Sequence, residues 1–434
     1  MKEGKFLKYD TYKDSGIEWI CEIPGHWGSL RLKDISSIQN SNVDKISLEN
    51  EHPIRLCNYV DVYKNEFIDS SLDFMQATAE LSEIKRFAVR KNDVFITKDS
   101  ETCYDIAVPA LATETLENVV CGYHLTQLRT KERVLLGSYL FRLFQSKNYG
   151  FRFVIFSKGI TRVGLGQSAI ADALTPIPPI HEQLSIVNYL NMKTKLIDHK
   201  IELLTQKIEQ YEKLKQSLIY ETVTHGLDKS LSVEDTGVEW IGKIPSHWKV
   251  KRVKDLFDIS RGRVIAQTEL EENGKYPVYS SQTKDDGCLG YINTFDYEGD
   301  YITWTTDGVN AGTVFFRRGK FNCTNICGLL KLYAKNMHLR YLFYALQVCT
   351  KHNKRIDTNG AKIMSNEMRF IKITVPSESE QKAIAKYLDA KTEHIDSIVE
   401  TINTQIDNLK ELRKTLINDV VIGKVKVFKE GESV

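Results

Sequence analysis

No run of about 18 apolar residues occurs anywhere in this 434-residue chain, so the sequence offers no membrane-spanning helix. The opening Met1-Lys-Glu-Gly-Lys5 lacks the apolar core of a secretory signal, and the expected location is cytoplasmic. Eight cysteines are scattered without a regular framework. The closest pair, Cys323 and Cys327, has no second Cys/His pair at zinc-finger spacing, so the cysteines read as reduced, mostly buried thiols and not as metal ligands. The chain also has no Gly-x-x-x-x-Gly-Lys-Ser/Thr loop to cradle a nucleotide phosphate, which argues against ATP hydrolysis. Its one Pro-Pro, in Ile177-Pro-Pro-Ile180, lacks the preceding Asn or Asp and the following aromatic with which an amino-methyltransferase holds its target nitrogen. Asp73 with Glu83-Ile-Lys85 could imitate the carboxylates and lysine of a nuclease, but chance supplies that spacing readily. No local nucleophile motif supports a hydrolase.

What is present is said twice. Asp14-Ser-Gly-Ile-Glu-Trp-Ile-Cys-Glu-Ile-Pro-Gly-His-Trp27 returns as Asp235-Thr-Gly-Val-Glu-Trp-Ile-Gly-Lys-Ile-Pro-Ser-His-Trp248. Glu182-Gln183, Tyr189-Leu190, Lys193-Thr194 and Ile197-Asp198 recur as Glu380-Gln381, Tyr387-Leu388, Lys391-Thr392 and Ile395-Asp396. The offset between copies shrinks from 221 residues at Trp27/Trp248 to 202 at Tyr139/Tyr341 and 198 at Glu182/Glu380, so the frame is shared while the middle has diverged and shortened. Repeats of this length are domains, not solenoid units. The composition, 42% hydrophobic and 27% charged, suits several ordinary folded domains.

The net charge of +2 hides an asymmetry. From Lys249 to Val375 there are 20 Lys+Arg against 13 Asp+Glu, whereas from Gly28 to Thr175 there are 18 of each. A basic second insert favours a polyanionic partner such as nucleic acid. The neutral first insert would need its charges segregated by face to do the same.

Each repeat ends in a heptad seam. In the first, Ile197, Ile201, Leu204, Ile208, Tyr211 and Leu218 keep the 4-3 rhythm, with Lys215 at the one polar seam position. In the second, Ile395, Val399, Ile402, Ile406, Leu409 and Leu416 keep it in the same register, with Arg413 at the matching place. Pro178-Pro179 announces the first helix, the box Ser377-Glu-Ser-Glu380 announces the second, and Gly226 and Gly423 end them. Helices of roughly 45 residues would each span about 65 to 70 Å. Neither stripe can stay in water, and duplication supplies each with a partner in the same chain, which predicts an antiparallel coiled coil holding one globular domain near each end. Duplex DNA offers matching local dyads.

Inside the inserts the pattern is mixed. Asp93 to Lys98 and Asp300 to Thr305 read as corresponding strands, as do Asn118 to Arg129 and Asn322 to Tyr333. Apolar helices follow around Leu135 to Ser146 and His338 to Val348, whose aromatics read as core. After them Ser157 to Ser168 and Asp357 to Ser365 read as Gly-bearing loops able to approach phosphates and base edges.

The opening Trp19-Ile20…Ile23-Pro24-Gly-His-Trp27, the helix start Pro178-Pro179-Ile-His-Glu-Gln183 and the heptad helix occur together and twice, and over almost the whole chain they resemble the DNA specificity subunits of type I restriction-modification systems. The second helix start, Val375-Pro376-Ser-Glu-Ser-Glu-Gln381, departs by its single proline. The resemblance implies an α+β fold: two mixed α/β target recognition domains, here 1–176 and 227–374, separated by two long helices, 177–226 and 375–423, forming an antiparallel coiled coil, with a polar tail at 424–434. It implies a reader of split double-stranded DNA sites with no cofactor and no chemistry of its own. Two modification subunits would bring S-adenosylmethionine and methylate adenine, and restriction/translocase subunits would use ATP and Mg. A specificity subunit for a fused methylase-nuclease polypeptide is the alternative. Candidate DNA-binding residues are Lys158, Arg162, Gln167 and Ser168 in the first unit and Arg261, Arg263, Arg317 and Arg318 in the second, because Arg can grip guanine bidentately and Gln can pair with adenine. No catalytic or metal-ligating residue is expected.

Overall fold

The computed structural model describes residues 7–358 and 360–427. They form two compact units, one of residues up to Leu204 together with those from Thr404 onward, the other Thr205–Asn403. The long helices run Ile180–His225 and Glu378–Val421, so each contributes one segment to each unit.

In the first unit a mixed five-stranded sheet has the order Ser36–Asn40, Leu125–Thr130, Val94–Thr97, Pro109–Ala112, Phe67–Ile68, with a three-stranded sheet of Val119–Cys121, His52–Cys57 and Met75–Ala79 beside it. In the second unit a six-stranded sheet has the order Phe257–Arg261, Cys327–Leu332, Tyr297–Thr305, Val314–Cys323, Tyr276–Tyr279, Cys288–Ile292. The first three strands of each list are the shared frame: Ser36 faces Thr130 as Phe257 faces Leu332, and Thr97 faces Leu125 as Thr305 faces Cys327. The stretches expected as single strands are each two. Asn118 to Arg129 breaks at Gly122–His124, where a glycine Cβ would lie 3.0 Å from the Cys57 carbonyl oxygen, and Asn322 to Tyr333 breaks at Thr324–Ile326. The helices that follow are Gly137–Phe144 and Leu339–His352, and Tyr139, Phe141, Phe144, Tyr341, Phe343 and Tyr344 are buried in the cores.

The repeated motifs meet each other. The opening folds as a hairpin, Tyr12–Asp14 on Glu22–Pro24 and Val233–Asp235 on Lys243–Pro245. At its end Trp27 Nε1 donates to Glu182 Oε2 at 2.9 Å, with His26 Nε2 2.5 Å from Oε1; in the copy Trp248 Nε1 and His247 Nε2 lie 3.0 and 2.9 Å from Glu380 Oε1. The next residue closes the other side. Gln183 accepts from the Leu136 amide and donates to the Val134 and Pro178 carbonyls, while Gln381 accepts from the His338 amide and donates to the Pro376 carbonyl. A buried polar side chain satisfied in this way fixes where each long helix leaves its domain. Ser377 and Glu380 form the reciprocal box expected at the second helix.

Each domain also grips the end of the other long helix. Tyr139 Oη donates to the Val421 carbonyl at 2.8 Å in the first unit, and Tyr341 Oη reaches the Val223 carbonyl at 3.4 Å in the second. The helix-ending Gly423 and Gly226 adopt φ of +78° and +75°. A Cβ there would meet Pro24 at 2.4 Å and Trp248 at 3.0 Å, so both conformation and closeness demand glycine.

The seam residues Ile395, Ile402 and Ile406 are buried, and Ile197, Ile201, Leu204, Ile208, Tyr211, Leu218, Val399, Leu409 and Leu416 are half-buried. Within the second unit the two helix segments are antiparallel: Ile219 and Val223 share a core with Ile384, Ala385 and Leu388, while Lys215 Nζ lies 2.6 Å from Asp396. Within the first, Ile186, Val187 and Leu190 share a core with Ile417, Val420 and Val421, while Arg413 lies 2.9 Å from Asp198. The two polar seam positions thus take equivalent partners. Burial and the neighbouring carboxylates of Glu66 and Asp198 act on Arg413 in opposite senses, and the carboxylates prevail, so its guanidinium is held charged.

Residues 428–434 of the expected polar tail lie outside the described residues, but Val425 and Val427 pack on the first unit's core and Lys426 N donates to the Leu7 carbonyl at 2.8 Å.

Candidate nucleic-acid interface

At one end of each sheet the shared strands stop together and a short hairpin springs from beside them. In the first unit the hairpin closes through Lys158 and Gly164, which exchange backbone hydrogen bonds of 2.9 and 2.8 Å. Its return arm pairs Val163–Gly164 with Asp99–Ser100 and continues as Leu165 N donating to the Lys98 carbonyl at 2.7 Å. In the second unit Arg355–Asp357 pairs with Gly360–Lys362, Lys362 bridges Asp307, and Ile363 N donates to the Thr306 carbonyl at 2.8 Å. Leu165 and Ile363 are buried and anchor the two hairpins alike. The stretches expected as loops therefore hold paired strands, and Gln167–Ala171 and Ser365–Met368 are short helices.

The first unit gathers all four of its candidates at this hairpin. Lys158 and Arg162 are exposed, with Arg162 Nη2 3.3 Å from His124 Nε2. Gln167 Nε2 donates to the Ile38 carbonyl at 3.0 Å, and Ser168 is exposed in the same helical turn. Beside them lies a cleft lined by Tyr59, Tyr63, Asp99, Thr102, His124 and Arg162. Sequence reasoning missed this wall. Its centre is Asp99, which receives Lys98 Nζ at 2.6 Å and His124 Nδ1 at 3.2 Å. Burial pushes the Asp99 carboxyl up, but the hydrogen bonds from Lys98 and His124 outweigh it and hold the group below its usual range. Lys98 also lies over the Tyr123 ring, 4.5 Å from its centre. The signal that could have found the wall is the turn Gly122-Tyr-His124 interrupting an apolar strand pattern.

The second unit separates its candidates. Arg261 and Arg263 stand at the sheet end from which the hairpin springs: Arg261 faces Gly328 and its Nε donates to the Asn325 carbonyl, while Arg263 bridges Thr324. Arg263 is held by Asp296 at 3.0 Å and Glu269 at 2.9 Å. Arg318, exposed on the sheet, pairs both carboxylate oxygens of Asp300 at 3.0 and 3.2 Å. Arg317 is not a surface group. Its side chain is buried between Tyr279 and Phe315, with its carbon centre 3.6 and 4.4 Å from their ring centroids. Its Nη1 donates to Asp286 at 2.6 Å, and alternation along the Val314–Cys323 strand turns it inward where Arg318 turns outward. It supports the turn Asp285-Asp286-Gly287, whose φ values of 50°, 53° and 79° are all left-handed. On the second unit's hairpin Arg355 lies opposite Lys362 and its Nε lies 2.7 Å from Glu367, while Lys354, one residue before the strand, lines a cleft with Gly312 and Lys351.

Among the described residues no helix is long and apolar enough to cross a membrane. Each of the two mixed α/β domains clasps the start of one long helix and the end of the other, so the repeat in the sequence is a repeat of the fold. A family model described as the type I restriction modification DNA specificity domain matches residues 245–408. The chain is 40% identical over 142 residues to the N-terminal piece of a Mycoplasma pneumoniae type I specificity subunit, covering 32% of this chain and 76% of that one. Against another type I specificity subunit of the same organism it is 32% identical over 246 residues, 56% of this chain and 91% of that one. A solved chain from work on complex assembly and conformational transition of the type I R-M system shares the fold at a TM-score of 0.69 and 15% identity, over 93% of this chain and 99% of that chain. The protein belongs to the family of type I restriction-modification DNA specificity subunits.

Proposed function

We propose that the chain reads a bipartite double-stranded DNA site, one half through each α/β domain, and contributes no catalytic group. The residues 1–176 and 227–374 are the two target recognition domains in this reading, and the long helices carry them and receive two modification subunits. Those partners supply S-adenosylmethionine and methylate adenine at N6; restriction/translocase subunits, with ATP and Mg, act on unmodified DNA. The setting is the cytoplasm. The observation that carries the proposal is that each sheet presents an equivalent hairpin at its end with different residues on it: Lys158, Ile160 and Arg162 on one, Arg355, Ile356 and Lys362 on the other. Equivalent frames with different contact residues are what two different half-sites require.

The test is a modified-base map of DNA from a host carrying this chain with a partner methyltransferase, against the same host without the chain. The expected result is a new split motif bearing N6-methyladenine on both strands. No new methylation, with a partner shown to be active beside another specificity subunit, would overturn the proposal.

A further inference from the structure

The hairpins carry a feature that charge-based recognition does not need. Ile160, at the turn between Lys158 and Arg162, is fully exposed, and Ile356, next to Lys354 and Arg355, is 83% exposed. The loop hydrogen-bonded to each hairpin repeats the pattern: Tyr104 follows Asp99–Ser100 and is 80% exposed, and Val309 follows Asp307 and is 97% exposed. Gly308 N donates to the Ala361 carbonyl at 3.1 Å, which holds the Val309 loop against the second hairpin.

A single exposed aliphatic is ordinary. Apolar side chains at or near full exposure, on the same paired elements in both diverged copies and beside cations, are a repeated arrangement. The residues are not in register: Ile160 lies 5 positions before the buried Leu165, and Ile356 lies 7 before the buried Ile363. Their places on the hairpins differ as well: Ile160 lies in the turn closed by Lys158 and Gly164, whereas Ile356 lies on an arm opposite Ala361, so what recurs is an exposed isoleucine beside cations on each hairpin. A polar side chain would cost less in water, so these isoleucines gain only where a surface covers them. Duplex DNA accepts an aliphatic side chain at thymine methyls in the major groove and at the step between stacked base pairs, where phosphates lie to either side for the flanking cations.

We propose that Ile160 and Ile356 are wedges that part a base step in their respective half-sites, with Lys158, Arg162, Lys354 and Arg355 holding the adjoining phosphates. This rests on the DNA-reading function proposed above and adds to it a deformation of the duplex. The wedge makes specificity depend on how easily a step unstacks, so a pyrimidine–purine step would be preferred beneath each isoleucine.

The experiment uses the full chain assembled with its modification subunits on a duplex carrying its methylation-mapped split site, with 2-aminopurine substituted in turn at each half-site position other than the modified adenine. The unaltered complex is expected to brighten one position in each half-site, as a base loses its neighbour. Ile160→Ala should abolish the signal in one half-site and leave the other, Ile356→Ala should do the reverse, and Ile160→Leu should restore the first. Lys158→Ala should weaken binding and lower its salt dependence while the brightening at saturation persists. Persistence of both signals in the two alanine variants would overturn the wedge, as would loss of modification-subunit binding with stacking unchanged. A complex that shows no preference for its split site would overturn the underlying reading of function instead.

Discussion

At the residue scale the instructive contrast is between two adjacent arginines. Arg317 and Arg318 look interchangeable in the sequence, yet strand alternation buries one between Tyr279 and Phe315 and leaves the other in water opposite Asp300. Arg317→Ala is expected to cost roughly 2 to 4 kcal/mol, because it empties a packed slot and releases the left-handed turn at Asp285–Gly287. Arg318→Ala should leave stability unchanged, since exposed pairs are screened and mobile; denaturant unfolding of both variants checks the difference. Glu380 gives a pH dependence. Burial raises its pKa, but hydrogen bonds from Ser377, Trp248 and His247 outweigh this and bring it down from 4.5 to about 2. A depressed carboxyl stabilises the fold above its ordinary value and loses that contribution as pH falls toward its folded value. Glu380→Gln should therefore be less stable than the unaltered chain above pH 4.5, with the gap closing between pH 4.5 and 2, as thermal unfolding across that range would read.

At the element scale the heptad pattern was legible because nothing competes with it. Its seam positions alternate with polar residues over many turns, and all of them are at least half-buried in the structure. The strands were legible as segments but not as pairs. Asn118 to Arg129 reads as one strand in sequence, yet its halves join different sheets, because the Gly122 turn passes against the Cys57 carbonyl, a contact between distant residues. The pairing in the hairpins is hidden from the sequence for the same reason: Lys158 and Gly164 pair where Lys98 and Asp99 hold the returning arm. In the first unit two candidates, Lys158 and Arg162, fall on that hairpin and two, Gln167 and Ser168, on the short helix after it, because Gly, Lys, Arg and Gln mark the stretch, while in the second unit arginine content points along the sheet and passes over Lys354, Arg355 and Lys362. The long helices carry their own prediction. Deleting Leu204 to Gln210 together with Ile402 to Asn408 removes one heptad from each and keeps both seams in phase. The mapped methylation motif is expected to keep its half-site sequences and change its spacer, by about 3 base pairs for about 10 Å of helix.

At the scale of the whole molecule, duplication is visible in the sequence as repeated words and in the structure as repeated handshakes: Trp27 with Glu182 and Trp248 with Glu380, Tyr139 with Val421 and Tyr341 with Val223. The first kind of contact could be anticipated, since the words that meet are the ones that recur. The second could not, because it joins a domain to a helix belonging to the other repeat. That second contact sets an order of events as the chain is made. The second unit is one unbroken stretch, Thr205–Asn403, and has all its parts before synthesis reaches Thr404. The first unit needs Ile417, Val420 and Val421 to complete its core, and its Tyr139–Val421 bond spans 282 residues. Contacts of such sequence separation form late and slowly. The half that is translated first is therefore expected to finish folding last, with the apolar face around Trp27 and Tyr139 open until its helix arrives, as hydrogen exchange pulsed during refolding would read.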